Sequence, residues 1–428
     1  MTTAQQFLAA AHSGRNLFLT GMAGTGKSYL LRQFISECHS GGLESGQVVL
    51  GKECRDIDVT APTGIAALNI QGMTLHRWAG MLIGPRDGQS DAAYAAELQE
   101  SRIPSLWAGQ RRVKDASCLV IDEISMLAGR QLDFLNYWMK LLRDDARPFG
   151  GCQVIVVGDF LQLPPVQTNG KRDYDWAFKS EAWAEAGFEV IHLTEVKRQD
   201  EPDFIRALGA FRMGDISNGE VRPIRNRVVL FPDGDIPRIF SRNSQVDRWN
   251  DYRLEALDTA EVCFQAETKG PEKQVDYLTK NLLTPEKLRL RVGARVMFTR
   301  NHPKGLWVNG SVGNVVGTPG RDSVDVIMPG LPPVEVQPFT WYYDGRDKSS
   351  ASFKQFPLRL AYAMTIHKSQ GVTMDAAYVD IRSASEPGQA YVAISRVRTL
   401  AGLNLKEWPG GVWVSNEARN FYQQKGKT

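Results

Sequence analysis

The run Gly21-Met22-Ala23-Gly24-Thr25-Gly26-Lys27-Ser28 satisfies every fixed position of G-x-x-x-x-G-K-[ST], a spacing suited to holding phosphates. The glycines let backbone N–H groups and a helix N-terminus face phosphate oxygens. The Lys27 ammonium adds a point charge for the β and γ phosphates, and the Ser28 hydroxyl can ligate magnesium. Gly21, Ala23, Gly24, Thr25, Gly26, Lys27 and Ser28 are therefore the nucleotide-binding candidates. A second element, Leu119-Val120-Ile121-Asp122-Glu123, is an apolar run that delivers two carboxylates at its end. Asp122 suits a magnesium ion, and Glu123 suits a base that orients and deprotonates water. Alone, such a pair reads equally as a solvated turn or a helix cap; beside a phosphate loop the chemical reading prevails. Gln162, in Gly158-Asp159-Phe160-Leu161-Gln162-Leu163-Pro164-Pro165, either bridges the γ-phosphate to a neighbouring surface or belongs to a structural loop.

These residues need a strand before the glycine loop and a helix after it. Asn16 to Thr20 is a short apolar run, and the periodicity from Ser28 to Glu37 predicts the helix. Further buried strands are predicted at Ile57 to Ala61, Cys118 to Asp122, Gln153 to Gly158 and Glu189 to Leu193, as in a parallel α/β sheet. After Arg238 a second α/β set begins, with strands at Arg238 to Ser241, Ala376 to Ile381 and Gly402 to Leu405 and a helix at Gly388 to Arg396. Residues 77–112 turn irregular and read as a small subdomain or a long loop. Residues 288–356 carry short Val-rich and Gly/Pro-rich runs that suit a small β-barrel insert. The expected division is 1–76 with 113–193 as the first domain, interrupted by 77–112, and 194–287 with 357–428 as the second, interrupted by 288–356.

A chain of 428 residues has room for more than one core, and 43% apolar with 23% charged residues is ordinary for folded domains. A net charge of +3, from 51 basic and 48 acidic residues, neither requires nor excludes a polyanionic partner. Locally, Lys280, Lys287, Arg289, Arg291, Arg295, Arg300 and Lys304 face one acid, Glu286; a solvated strand face and a phosphate contact explain this equally well. Cys38, Cys54, Cys118, Cys152 and Cys263 are odd in number and form no C-x-x-C pair, which argues against a disulfide framework or zinc site. No leader pattern and no membrane-spanning apolar run is seen, so a cytoplasmic protein with no membrane partner is expected.

Taken in order, the motifs resemble those of the PIF family of DNA helicases, within helicase superfamily one and related to RecD-like and phage Dda-like motors. Asp122-Glu123-Ile124-Ser125-Met126-Leu127, Pro148-Phe149-Gly150-Gly151 and Val157 to Pro165 look like that family's distinctive central block. The resemblance implies two RecA-like parallel-sheet motor domains, with a strand-separating pin in the first insertion and a Src-homology-three-like barrel in the second. It assigns DNA contacts to Pro62, Thr63, Gly64 and His76 on the first domain and to Asn243, Thr365, His367 and Lys368 on the second. Arg198 becomes an arginine finger, and Arg396, in Gln389 to Arg396, reaches the γ-phosphate; both are expected from outside the phosphate-loop domain. Gly371 joins the nucleotide contacts, and Gln5 would read the adenine edge, with Gln6 one register away. By residue type alone His76 reads as a core histidine and each arginine as a surface salt bridge. Trp78 and Trp107, flanking the first insertion, read equally as pin or as packing.

The implied activity is ATP-dependent, 5′-to-3′ translocation on single-stranded DNA with unwinding of forked or tailed duplex, by a functional monomer using Mg²⁺ with ATP. DNA repair, recombination, replication and telomere maintenance are the settings the resemblance carries, in a bacterial or phage-type cytoplasm; G-quadruplexes and RNA–DNA hybrids stay open as substrates. Two other readings stand beside it: a DNA-stimulated translocase that separates no strands, and a nucleic-acid binding module switched by nucleotide.

Overall fold

The computed structural model describes residues 2–40, 57–70, 72–82, 85, 88–101, 103–166, 173–217, 219–232, 234, 236–300, 302, 305–307, 310–318, 322–344, 347–382 and 384–425. Cys54 and Lys304 lie outside them. The chain divides into two compact units: residues 1–218 with 386–391 and 412–428, and residues 219–385 with 392–411.

In the first unit β1 (Leu17–Gly21), β2 (Ile57–Ala61), β3 (Met73–Thr74), β4 (Cys118–Ile121), β5 (Gln153–Gly158) and β6 (Glu189–Leu193) form a parallel sheet in the order β3-β2-β4-β5-β1-β6. Side chains alternate across it. Leu17, Leu19, Val120, Ile155 and Val157 join Phe7, Leu30, Leu31 and Phe34 on one face, while Phe18, Leu119, Ile121, Val154 and Val156 enter a larger core on the other. Both faces of β1, β4 and β5 are covered, which is why these strands read as continuous, largely apolar runs. The helix Thr3–His12 is started by a capping box in which the Thr2 N–H donates to Gln5 Oε1 and the Gln5 N–H to Thr2 Oγ1.

Residues 77–112 do not stand apart. The helices Asp91–Glu100 and Pro104–Asp115 bury Tyr94, Ala95, Leu98, Leu106 and Val113 in the same core as the sheet. Trp78 is wholly inaccessible within that core, so packing is its observed role, whereas Trp107 is half exposed.

Two further segments sit differently from the expected division. Residues 194–217 pack with the first unit: the helix Pro202–Arg212 buries Phe204, Ala207, Leu208, Phe211 and Arg212. So does the helix Asn416–Lys425, whose Phe421 ring lies among Phe18, Phe160, Phe178 and Trp183 at centroid separations of 4.6–6.1 Å. The Tyr422 hydroxyl accepts from the Phe160 N–H at 3.1 Å and pairs with Thr20 Oγ1 at 2.7 Å. Removing that hydroxyl in Tyr422→Phe leaves a buried N–H unpaired, and a loss of about 1–3 kcal/mol is expected. Thermal denaturation of the variant checks it; a melt equal to wild type would show the bond to be idle.

In the second unit Ala363–Thr365, Arg238–Phe240, Ala377–Val379 and Leu403–Leu405 form a parallel sheet in that order. The predicted strands at 238, 376 and 402 are all present, and Ala363–Thr365 is added. The inserted region is antiparallel: Val334–Val336, Val324–Ile327, Val312–Gly317, Arg295–Phe298 and Leu358–Leu360 lie side by side, and Phe339–Asp344 pairs with Asp347–Gln355, which also pairs with Glu267–Lys269. Its sheets thus draw strands from outside 288–356. Among the described residues, Cys38, Cys118, Cys152 and Cys263 form no disulfide, and no helix is long and apolar enough to cross a membrane.

Candidate active site

In the first unit the chemistry-bearing residues follow the C-terminal ends of parallel strands, where open α/β sheets bind ligands. The phosphate loop leaves β1 and enters the helix Lys27–Ser40. Gly24 has φ +84°, and a Cβ there would stand 2.6 Å from Arg198 Cβ, so backbone conformation and space both exclude a side chain. The Gly24 carbonyl accepts from the N–H groups of Lys197 at 2.8 Å and Arg198 at 3.2 Å. Arg198 is therefore anchored to the loop's own backbone, in the same unit as the loop and not outside it as expected.

Lys27 Nζ donates to the carbonyls of Gly21 at 2.7 Å and Met22 at 3.0 Å. Burial lowers its pKa, against the pull of Asp159, Glu123 and Asp122. Thr25 Oγ1 donates to Met22 O, and the Ala23 N–H donates to the Tyr391 hydroxyl at 2.9 Å. Asp122 follows β4, is 6% exposed, and has its pKa raised by burial although its Oδ1 accepts from the Glu123 N–H at 2.9 Å. Glu123 takes a left-handed conformation, φ 52° and ψ 45°, which costs a non-glycine residue on the order of 1–3 kcal/mol and persists where the surroundings impose it. Ser28, on the first helical turn, and Asp122 supply the hard oxygen donors a small divalent cation prefers, with phosphate and water able to complete its shell.

Asp159 follows β5 and is completely buried. Arg212 donates to both its oxygens, Nη2 to Oδ1 at 2.7 Å and Nε to Oδ2 at 3.1 Å, and lies over the Tyr422 ring with 5.0 Å to the centroid. Burial works to raise the Asp159 pKa, but Arg212 and Lys27 overcome it and hold the carboxyl below its usual range. Oδ1 also accepts from the Leu161 N–H, and Oδ2 from Gln162 Nε2 at 3.3 Å. Gln162 is thus held as part of the loop; Gly388, at φ +72°, passes so close that a Cβ would stand 2.3 Å from its carbonyl oxygen.

Gln5 gives its carbonyl to the capping box. Pro62, Thr63 and Gly64 follow β2 and His76 follows β3, its hydrogen-bonded neighbour; Thr63 Oγ1 caps the Ala66 N–H, and the His76 ring meets Gln131 Nε2 at 3.2 Å. In the second unit Asn243 opens the helix Asn243–Glu255 after Arg238–Phe240, and Thr365 ends the adjacent parallel strand, with Thr365 paired to Phe240. The Lys368 N–H donates to Thr365 Oγ1, which starts the helix Ile366–Ser369 carrying His367 and Lys368. Gly371 is exposed at φ +78°. Arg396 is 2% exposed and donates to Val392 O at 2.7 Å, Ser395 Oγ at 2.8 Å and Ser369 O at 3.4 Å.

Asp159, Arg212, Tyr391 and Tyr422 were not among the sequence candidates. One signal was legible: Arg212 continues the apolar stripe of Phe204 and Leu208 at four-residue spacing, and a charge there requires a buried partner.

A glycine-rich loop on a parallel sheet, a lysine bonded to that loop's carbonyls and a strand-end acid pair define a phosphate-loop nucleotide-binding unit of the ATPase class. The sequence model of the PIF1-like helicase matches residues 5–220. The chain is 36% identical over 416 residues to the ATP-dependent DNA helicase Pif1 of Bdellovibrio bacteriovorus, covering 96% of this chain and 89% of that one. Among solved structures it is similar to the Pif1 helicase from Candida albicans, with a TM-score of 0.80, 33% identity and 99% of both chains covered. It is also similar to the Pif1 helicase from Bacteroides in complex with ADP-AlF3 and ssDNA, with a TM-score of 0.68, 28% identity and coverage of 100% and 97%. This chain belongs to the PIF1-like helicase family. It spans less than two thirds of several longer relatives, 62% of the human one.

Proposed function

We propose that this chain is an ATP-dependent DNA helicase that moves 5′-to-3′ along single-stranded DNA and separates forked or tailed duplex. The observation that carries the reading is a complete phosphate loop after β1, with Lys27 bonded to its carbonyls and Asp122 and Glu123 at the end of β4 in the same parallel sheet, in a chain of this family. Ser28 and Asp122 would hold Mg²⁺, which when bound neutralises charge on the β and γ phosphates. Glu123 orients the attacking water and takes its proton, and its imposed backbone conformation fixes where the carboxylate starts. Gln162, tied to Asp159, relays the state of that loop. Arg198, anchored to Gly24, stabilises the transferring phosphate. Arg396 joins it after exchanging its bonds to Val392 O and Ser369 O for phosphate oxygens, with Gly371 beside it; Gln5 meets the adenine edge through its amide nitrogen.

Pro62, Thr63, Gly64 and His76 hold the strand on one unit and Asn243, Thr365, His367 and Lys368 on the other; alternating grip gives stepping. The helices of residues 77–112 serve as the pin, and the inserted antiparallel region as an SH3-like module. The chain acts as a monomer, in a reducing cytoplasm.

The test is ATP hydrolysis with and without oligo-dT, followed by unwinding of duplexes tailed on either side. Strong stimulation and release from the 5′-tailed duplex alone are expected. Stimulation with no release would make the chain a translocase, and binding of oligo-dT with no turnover would make it a nucleotide switch.

A further inference from the structure

The basic run singled out in the sequence is largely committed to its own fold. Arg289 is paired with Asp251 and Glu261 at 2.9 Å, Arg291 donates to Leu257 O at 2.7 Å, and Arg300 lies 3.3 Å over the Phe339 ring. Two other cations of the second unit behave differently. Arg359 lies on the strand Leu358–Leu360 opposite Met297, is 9% exposed, and has a fully inaccessible Nη1 with no hydrogen-bond partner. Its signal in the sequence is an arginine inside the apolar run Pro357-Leu358-Arg359-Leu360-Ala361. Among the described residues neither its guanidinium nor the Lys368 ammonium makes a hydrogen bond or an ion pair. Asp247, on the helix Asn243–Glu255, is the carboxylate that bears on both, and it is exposed and bonded to neither. Burial lowers the pKa of each group, and Arg359 lowers that of Lys368 further.

Two desolvated like charges that no bonded carboxylate neutralises, with only the exposed Asp247 nearby, destabilise the fold that holds them. An anion between them reverses the sign, and the shared chemistry of the available anions is a phosphate oxygen. Lys368 follows Thr365 at the strand ends proposed to grip DNA, which favours a phosphodiester over a free phosphate. We propose that Arg359 and Lys368 form a two-cation clamp for one backbone phosphate of the tracked single strand. This rests on the strand-tracking reading. Arg359 supplies a planar fork and Lys368 a point charge, so the clamp reads backbone and not base.

The test compares wild type, Arg359→Met and Arg359→Lys in oligo-dT binding across a salt series, and in thermal denaturation with and without oligo-dT. Arg359→Met is expected to bind about tenfold more weakly at low salt and to lose about 0.7 from the magnitude of the log Kd against log salt slope. Its melting temperature without DNA should equal or exceed wild type, since an unpaired buried charge has gone. Arg359→Lys should restore the slope. An unchanged slope in Arg359→Met, or a melt below wild type including failure to fold, overturns the clamp, because each makes Arg359 a structural residue. Inorganic phosphate is the control: if it protects wild type as oligo-dT does, and protection is lost in Arg359→Met, the pair holds a free anion and the strand clamp is overturned. If wild type itself ignores oligo-dT, the strand-tracking reading fails; if wild type binds and Arg359→Met matches it, the clamp alone fails.

Discussion

Replacing Glu123 by Gln is expected to lower DNA-stimulated ATP turnover by about 10²–10⁴-fold, the range for loss of a positioned general base, while nucleotide binding stays close to wild type. The amide keeps the size of the carboxylate and removes its basicity. It also leaves the N–H that donates to Asp122 and the left-handed backbone undisturbed. Binding rests on the phosphate loop, which this substitution does not touch. Single-turnover hydrolysis with oligo-dT, beside nucleotide binding measured by calorimetry, separates the two effects. Turnover within about threefold of wild type would remove Glu123 from the chemistry, since even a weak base contributes more. Loss of nucleotide binding would mean that the residue holds the loop together.

Arg212→Met is expected to have the largest effect on stability. It leaves Asp159 without its hydrogen-bonded counter-charge in a wholly buried position, with Lys27 the remaining nearby cation, and breaking such a pair costs about 3–5 kcal/mol. For a unit of this size that is a fall in melting temperature of roughly 6–20 °C. The pH dependence has a definite sign. In wild type the Asp159 pKa is depressed, so its contribution is present above the ordinary carboxylate pKa of about 4 and is lost as pH falls through the folded value. In the variant, burial without Arg212 raises that pKa, so acid relieves the buried charge. The gap between the two melts should be widest near neutrality and close toward about pH 4. Adding Asp159→Asn should recover part of the loss. A single variant that melts within about a degree of wild type, or a gap that does not depend on pH, would show that the pair does not hold the unit together.

The parallel sheet was legible because its central strands are covered on both faces: the runs at Leu17, Cys118 and Gln153 are wholly buried and largely apolar, while Ile57–Ala61 and Glu189–Leu193 mix apolar with polar residues. Met73–Thr74 and Ala363–Thr365 are too short to carry a period, and only pairing defines them. The phosphate loop and the Asp122-Glu123 pair were legible because their chemistry is contiguous in sequence. Asp159 and Arg212 lie 53 positions apart, and Thr20 and Tyr422 lie 402 apart; no local pattern joins them. The same limit moved the boundary between the units. Residues 194–217 look like the start of a new domain until Arg212 finds Asp159, and the Asn416–Lys425 helix looks like the end of the second domain until Phe421 enters the first core. The helices of residues 77–112 were obscured for a simpler reason: Asp91–Glu100 is alanine-rich, with its few large apolar side chains set among charges.

The Asn416–Lys425 helix also sets a schedule for biosynthesis. The ribosome completes residues 1–217 and must then make all of 219–385 before the segment bearing Phe421 and Tyr422 emerges. At about 5–20 residues per second that interval is roughly ten to forty seconds. Throughout it the nascent first unit presents Phe18, Phe160, Phe178 and Trp183 without the ring that fills them. Its phosphate loop also lacks Tyr391, which supplies the Ala23 partner. The unit can neither seal its core nor finish its nucleotide site until the other has been synthesised. An exposed aromatic cleft on a growing chain is the kind of surface a holding chaperone binds. Premature termination between residue 217 and Phe421 would therefore release a first unit that lacks the ring filling this cleft.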